Sequence, residues 1–324
     1  MDDTSQDKPL KTLPFNNLYL NSGFVNGINH WSIYLLTISF TLFCYFFSPL
    51  ITFLHLFFMA LQSGMSYEEI LGNMNVVLDY KTTGIDLNYV LIAVFGIFVF
   101  ASGGLWLGLR KFHHKTLITV VSGYDKFRFK RFWFAFMVWT VLVVVSVCIG
   151  YFSSPEDFKY VFNLNGFLIS LLLILVFMPI QTGFEEVFFR GYLMQGMALL
   201  FKNGIVPLVI TSLLFGLAHM DNPEVEKYGA QIMLPYYFGF ALFMGALTLL
   251  DEGLELALGI HLANNLITSI ILTSPDSVIQ TYSVFETKTG DPYTEILLWC
   301  IMATIAFSTF WYKYRWKNFS LIIK

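Results

Sequence analysis

The sequence predicts an all-α fold: a polytopic transmembrane helix bundle of about eight spans. Three observations carry this. Only 13% of the 324 residues are charged while 56% are hydrophobic, about half the charged fraction of a soluble domain. Mean hydropathy is +0.64. The apolar residues also fall in runs near the ~20 residues that a helix needs to cross the hydrocarbon core.

In chain order the candidate spans run from Trp31 to Gln62, Tyr89 to Leu109, Phe132 to Phe152, Phe167 to Phe201, Ile205 to His219, Ala230 to Leu250, Leu254 to Leu272, and Ile296 to Tyr312. The first and fourth exceed one upright crossing, so tilt, a kink or an interfacial stretch is expected there. Pro49 and Pro179 are the candidate kink points, because proline removes a helical N–H.

Lys and Arg crowd cytoplasmic loops. The second connection holds Arg110, Lys111, Lys115, Lys126, Arg128, Lys130 and Arg131, and the C-terminus holds Lys313, Arg315, Lys317 and Lys324. With eight spans both fall on one side, together with Lys8 and Lys11; the segments near Lys81, Lys159, Lys227 and Lys288 are poor in basic residues. Both termini are therefore expected in the cytoplasm of a cell membrane, most simply a bacterial inner membrane. The stretch "HHKTLITVVSGYDKFRFKRF" is expected to lie against anionic lipid headgroups. Residues 1–30 read as a cytoplasmic tail, 31–312 as a single membrane domain and 313–324 as a second tail. The first residues are polar and acidic, so no cleaved signal is expected. Net charge is −3 without a dense basic tract, which gives nucleic-acid binding no support. Cys44, Cys148 and Cys300 are scattered through apolar runs, unlike a disulfide or metal set.

Within this apolar chain, "TGFEEVFFRGYLMQG" stands out. One charged group at the centre of a span costs about 2.5–3.5 kcal/mol on insertion scales, and Glu185, Glu186 and Arg190 lie within six positions. Glu186 and Arg190 are four apart, so they share a helix face and pair. Glu185 points about 100° away, without a local cation, and suits a proton acceptor. The bland alternative is a structural ion pair with Glu185 at an interfacial water. Later spans carry His219, with Phe215 one turn before it, and His261, with Asn265 one turn after it. His261 and Asn265 project from one helix face. A lone membrane histidine is more often a packed, hydrogen-bonded residue than a catalytic one. His30, His55, His113 and His114 lie at a span end, in the first span and in the basic loop, and read as structural.

Glu-Glu-x-x-x-Arg (Glu185, Glu186, Arg190), Phe-x-x-x-His (Phe215, His219) and His-x-x-x-Asn (His261, Asn265), in that order and in separate spans, resemble the CPBP family. These are the CAAX-protease and bacteriocin-processing membrane proteins, also called Abi proteins, and the flanking "PIQTGFEEVFFRGYL" looks like the bacterial branch. The resemblance covers Pro179 to Asn265 and implies a family core at about 166–272. It implies a glutamate-dependent intramembrane endopeptidase related to the type II CAAX prenyl protease. In that scheme Glu185 and His219 activate the attacking water, His261 and Asn265 stabilise the oxyanion, and Glu186 and Arg190 hold the surroundings of Glu185. The residue types agree with those tasks: amide hydrolysis needs a base for water and donors for the developing oxyanion.

No cofactor and no metal are expected. Zinc is the rival, since Glu and His ligate it, but no His-Glu-x-x-His motif occurs. The expected partners are membrane lipid and a membrane-associated peptide or protein substrate, with the oligomeric state open. A proton-coupled transporter remains an alternative, because intramembrane acids mark proton relays, although no inverted repeat is visible. A non-catalytic immunity or scaffold protein of the same family is the other.

Overall fold

The computed structural model describes residues 15–25, 27–62, 64–72, 85–288, 290–317 and 319–322. Lys8, Lys11, Lys81 and Lys324, which entered the charge argument, lie outside them. The chain is an all-α polytopic membrane bundle. Its helices are α1 (Leu18–Val25), α2 (Trp31–Gln62), α3 (Tyr67–Gly72), α4 (Leu87–Leu107), α5 (Ile118–Val121), α6 (Phe129–Ser153), α7 (Leu164–Glu186), α8 (Met194–Phe201), α9 (Ile205–Leu217), α10 (Pro223–Tyr228), α11 (Ala230–Asp251), α12 (Glu255–Ile271) and α13 (Pro292–Tyr314). Among the described residues six helical stretches are long and apolar enough to cross a membrane: Trp31–Ser48, Leu87–Phe112, Phe129–Ser153, Leu164–Phe201, Ala230–Asp251 and Pro292–Tyr314. Ile205–Leu217 and Glu255–Ile271 are shorter apolar helices, so the eight expected spans separate into six full-length and two short ones.

Local chemistry places several helix starts. Asp86, Asn163 and Asp291 each accept a hydrogen bond from a backbone N–H of the first turn of α4, α7 and α13, satisfying donors that have no intrahelical partner. Pro292 at the first turn of α13 has no N–H to lose there. The long fourth run is continuous. α7 passes through a π-turn, Val187–Leu193, directly into α8, and Pro179 lies inside it without ending it. The 38-residue run is about 57 Å long at 1.5 Å per residue, well beyond the hydrocarbon thickness. A π-turn admits an extra residue and re-aims side chains, and such turns are frequent at functional sites.

α6 and α12 lie against each other because small residues line the contact. A Cβ on Gly259 would strike the Phe132 carbonyl oxygen, and Ala135, Ala257 and Ala263 are buried alongside. At the C-terminal end of α6 a small sheet forms: β1 (Phe158–Tyr160) pairs antiparallel with β3 (Phe285–Thr287), which pairs parallel with β2 (Leu272–Thr273).

The opposite end of α6 departs from expectation. The basic loop does not simply lie on lipid. Arg128 forms a fork with Glu255, Nε to Oε1 at 3.0 Å and Nη2 to Oε2 at 2.6 Å. It also reaches Asp251 at 3.1 Å, which Arg131 pairs as well. Lys115 Nζ is buried and donates to Gly23 O, Asn29 Oδ1 and Tyr34 OH. Buried carboxylates at the α11–α12 turn draw Arg128 and Arg131 inward, since a buried charge must be paired. Nor are residues 1–30 all tail. Tyr19 and Leu20 are fully buried, and the Tyr19 hydroxyl is shared between the carbonyls of Val120 (2.8 Å) and Arg190 (3.0 Å). At the far end Trp316 donates its indole N–H to Asp251 Oδ1 at 3.1 Å.

Candidate active site

The last turn of α7 and the π-turn present Glu185, Glu186 and Arg190 to the inside of the bundle, and α12 brings His261 against them. Glu185, Glu186, Arg190 and His261 are all buried. The i,i+4 pair forms as expected: Arg190 Nη1 donates to Glu186 Oε1 at 3.0 Å. The same oxygen takes the Nδ1 of His261 at 2.7 Å. An ionised carboxylate only accepts, so Nδ1 carries a proton and the tautomer is set. The other ring nitrogen, Nε2, then faces Glu185 Oε2 at 3.5 Å. His261 therefore bridges two carboxylates, anchored by one and presented to the other. The nearest ring nitrogen to Glu185 thus comes from α12 and not from its own helix.

Glu185 Oε1 accepts from Gln181 Nε2 at 2.7 Å, one turn earlier on α7. Gln181 Oε1 accepts in turn from Asn265 Nδ2 at 3.3 Å. Asn265 thus joins the cluster through Gln181, on the same face of α12 as His261.

His219 enters differently. It follows the C-terminus of α9, and its Nδ1 lies 2.7 Å from the Phe215 carbonyl. A carbonyl only accepts, so Nδ1 holds a proton, and in the neutral ring Nε2 carries the lone pair. Among the described residues no hydrogen bond joins His219 to either glutamate. It reaches them through the Phe215 ring: the His219 and Phe215 centroids are 4.2 Å apart, Arg190 Cζ lies 4.1 Å from the same ring centroid, and His261 is at 6.5 Å. A guanidinium at that distance is in cation–π range. Tyr237 packs on His219 at 4.7 Å and Phe240 edges His261 at 5.3 Å. An aromatic shell of this kind lowers the local dielectric and strengthens every charge interaction inside it.

Of the two histidines, His261 is thus the one in direct contact with Glu185. Reading the sequence missed Gln181, Asn264, Trp139 and Tyr237. Gln181 had a local signal, its spacing four before Glu185, and Asn264 sits beside Asn265; Trp139 and Tyr237 are distant in sequence and meet the site only through the fold. Among the described residues no three His, Cys, Asp or Glu side chains are grouped to hold a metal ion.

The family model described as "Type II CAAX prenyl endopeptidase Rce1-like" matches residues 164–267, from the first residue of α7 into α12, the stretch that holds Glu185, Glu186, Arg190, His219, His261 and Asn265. Across 226 residues the chain is 30% identical to "Uncharacterized protein YyaK" of Bacillus subtilis (strain 168), covering 68% of this chain and 75% of the relative. No solved structure matches. The chain belongs to the CPBP family of Rce1-like, CAAX-protease-like membrane proteins.

Proposed function

We propose that this protein is a glutamate-type intramembrane endopeptidase that hydrolyses a peptide bond in a membrane-associated peptide or protein. The observation that carries the reading is the buried Glu185–His261 contact at 3.5 Å, with His261 fixed from behind by the Glu186–Arg190 pair. A purely structural ion pair needs no second carboxylate. It also gains from satisfying all its atoms, whereas Glu186 Oε2 and Arg190 Nη2 have no hydrogen-bond partner among the described residues.

In this mechanism Glu185 takes a proton from water, and the water oxygen attacks the scissile carbonyl carbon. The His219 Nε2 lone pair, freed by the Nδ1 bond to Phe215, accepts the water's second hydrogen and orients it. The carbonyl π electrons move onto oxygen. Asn265 uses one amide hydrogen toward Gln181 and has a second to give the oxyanion, together with His261 when its Nε2 is protonated. Preorganised donors of this kind are worth more in a low-dielectric site than in water. The tetrahedral intermediate collapses by breaking C–N, and Glu185 returns its proton to the leaving amine. Glu186 and Arg190 hold His261 rather than touch substrate.

The test is proteolysis by purified protein in lipid, wild type beside Glu185→Gln, against a membrane-anchored peptide library that includes prenylated and unprenylated members. General-base catalysis contributes about 10²–10⁴-fold, so the variant is expected to lose at least that range of turnover while remaining folded. A folded, fully active Glu185→Gln protein refutes the mechanism.

A further inference from the structure

Glu185 stands at the end of a hydrogen-bond chain that crosses three helices. The indole Nε1 of Trp139, on α6 and fully buried, donates to Asn264 Oδ1 at 3.1 Å. Asn264 Nδ2 donates to Asn265 Oδ1 at 3.2 Å. Asn265 Nδ2 donates to Gln181 Oε1 at 3.3 Å, and Gln181 Nε2 donates to Glu185 Oε1 at 2.7 Å.

The polarity of this chain is not arbitrary. An indole nitrogen is donor only, whereas each side-chain amide has an accepting end and a donating end. Trp139 therefore forces the oxygen of Asn264 toward itself. That turns the Asn264 N–H₂ to Asn265, the Asn265 N–H₂ to Gln181, and the Gln181 N–H₂ to Glu185. One amide reversed alone would set like atoms against each other at its own two contacts, and a reversal carried through to Gln181 would turn its oxygen to the carboxylate. Successive amides also polarise one another in a low-dielectric interior.

We infer that Gln181 is the positioning residue for Glu185, and that Trp139, through Asn264 and Asn265, dictates which end of the Gln181 amide the carboxylate meets. This inference rests on the reading of Glu185 as the catalytic base. It gives the α6–α12 contact a role in the chemistry: Trp139 reaches Asn264 because Gly259 and Ala135 let the two helices approach closely. It also gives Asn265 two tasks, one hydrogen toward Gln181 and one toward substrate. The other ionisable neighbours, His261 at Glu185 Oε2 and the Glu186–Arg190 pair, are left in place when the chain is cut.

A readout independent of turnover separates this from a merely structural role. A hydrophobic carbodiimide modifies protonated carboxyl groups within membranes, and mass spectrometry of the 182–196 peptide distinguishes Glu185 from Glu186. A donor to the ionised form favours that form, and hydrogen bonds to charged groups are among the stronger ones. Gln181→Met is therefore expected to raise the labelling rate of Glu185 at neutral pH by roughly tenfold. Trp139→Phe keeps most of the ring volume, removes only the N–H, and is expected to raise labelling severalfold. Both are expected to lower kcat with KM little changed and to melt within a few degrees of wild type. Wild-type labelling in Gln181→Met overturns the inference. So does a rise in Gln181→Met with none in Trp139→Phe. Should Trp139→Phe fail to fold, Asn264→Asp replaces it, because an acceptor there reverses Asn265 and Gln181; the same labelling outcomes decide. The two readings fail separately. A wild-type protein that cleaves none of the peptides ends the endopeptidase reading, while labelling still decides the chain.

Discussion

The Nδ1 of His261 lies 2.7 Å from Glu186 Oε1, so the acid that is not the proposed base sets the tautomer and tilt of the imidazole that faces the base. Glu186 is thus tied to catalysis through geometry, and to stability through Arg190. Glu186→Gln leaves Arg190 without an ionic partner in an apolar bundle. Stranding one member of a buried pair costs about 3–5 kcal/mol, so the melting temperature is expected to fall together with activity. Adding Arg190→Met is expected to restore part of the melting temperature but not the turnover, because an amide oxygen holds the His261 Nδ1–H more weakly than the carboxylate does. Melting and specific activity measured on the same preparations check this.

Asn265→Ala removes a proposed oxyanion donor. The expected loss is about 2.7–4 kcal/mol of transition-state stabilisation, read as kcat/KM, with a smaller effect on thermal stability. If the six site residues were only a structural ion-pair network, activity would track the amount of folded protein across all variants.

His113 makes the folded protein acid-sensitive. Its Nδ1 meets the Ile28 carbonyl and its Nε2 the Tyr192 hydroxyl, each at 2.7 Å. Burial lowers its pKa from 6.5 to about 4; the Ile28 bond opposes this and the Lys115 charge adds to it. Between those values the unfolded chain binds a proton that the folded protein does not, so stability rises with pH across the window. The melting temperature is expected to fall as pH drops from about 6.5 toward about 4, and His113→Asn is expected to flatten that slope. An unchanged slope refutes the assignment to His113.

Orientation is tested by single cysteines at Lys126 and Lys288, both exposed, in a background lacking the three native ones. With cytoplasmic termini, an impermeant thiol reagent outside the cell is expected to label position 288 and spare 126. The reverse pattern inverts the topology.

Activity is expected to survive strong chelation. The proposed base and oxyanion donors complete the reaction from side chains alone, and no three candidate ligands converge among the described residues. Turnover abolished by a chelator and restored by zinc would promote Glu185, His219 and His261 to ligands.

What was legible in the sequence followed from periodicity. Apolar runs announce spans because a bilayer demands them, and the Glu186–Arg190 pair is written in a four-residue spacing. The His261 and Asn265 side chains share a face for the same reason. The contact between Glu185 and His261 was not legible, since nothing in one dimension tells which of two histidines on separate helices docks on which carboxylate. The burial of α1 was hidden because "LYLNSGFV" is too short and too mixed to stand out from a polar tail. Arg128 and Arg131 read as headgroup contacts because basic loop residues usually are; their partners Asp251 and Glu255 lie 120 or more residues away.

The Tyr19 hydroxyl closes on the carbonyls of Val120 and Arg190, partners separated from it by 101 and 171 residues. A ribosome adding about 5–20 residues per second needs roughly 10–35 s to make the chain between Tyr19 and Arg190. A segment made well before α7 is therefore among the last to settle. Until the chain around Arg190 is in place, α1 keeps its buried face uncovered, and assembly of this region ends with the docking of residues made long before their partners.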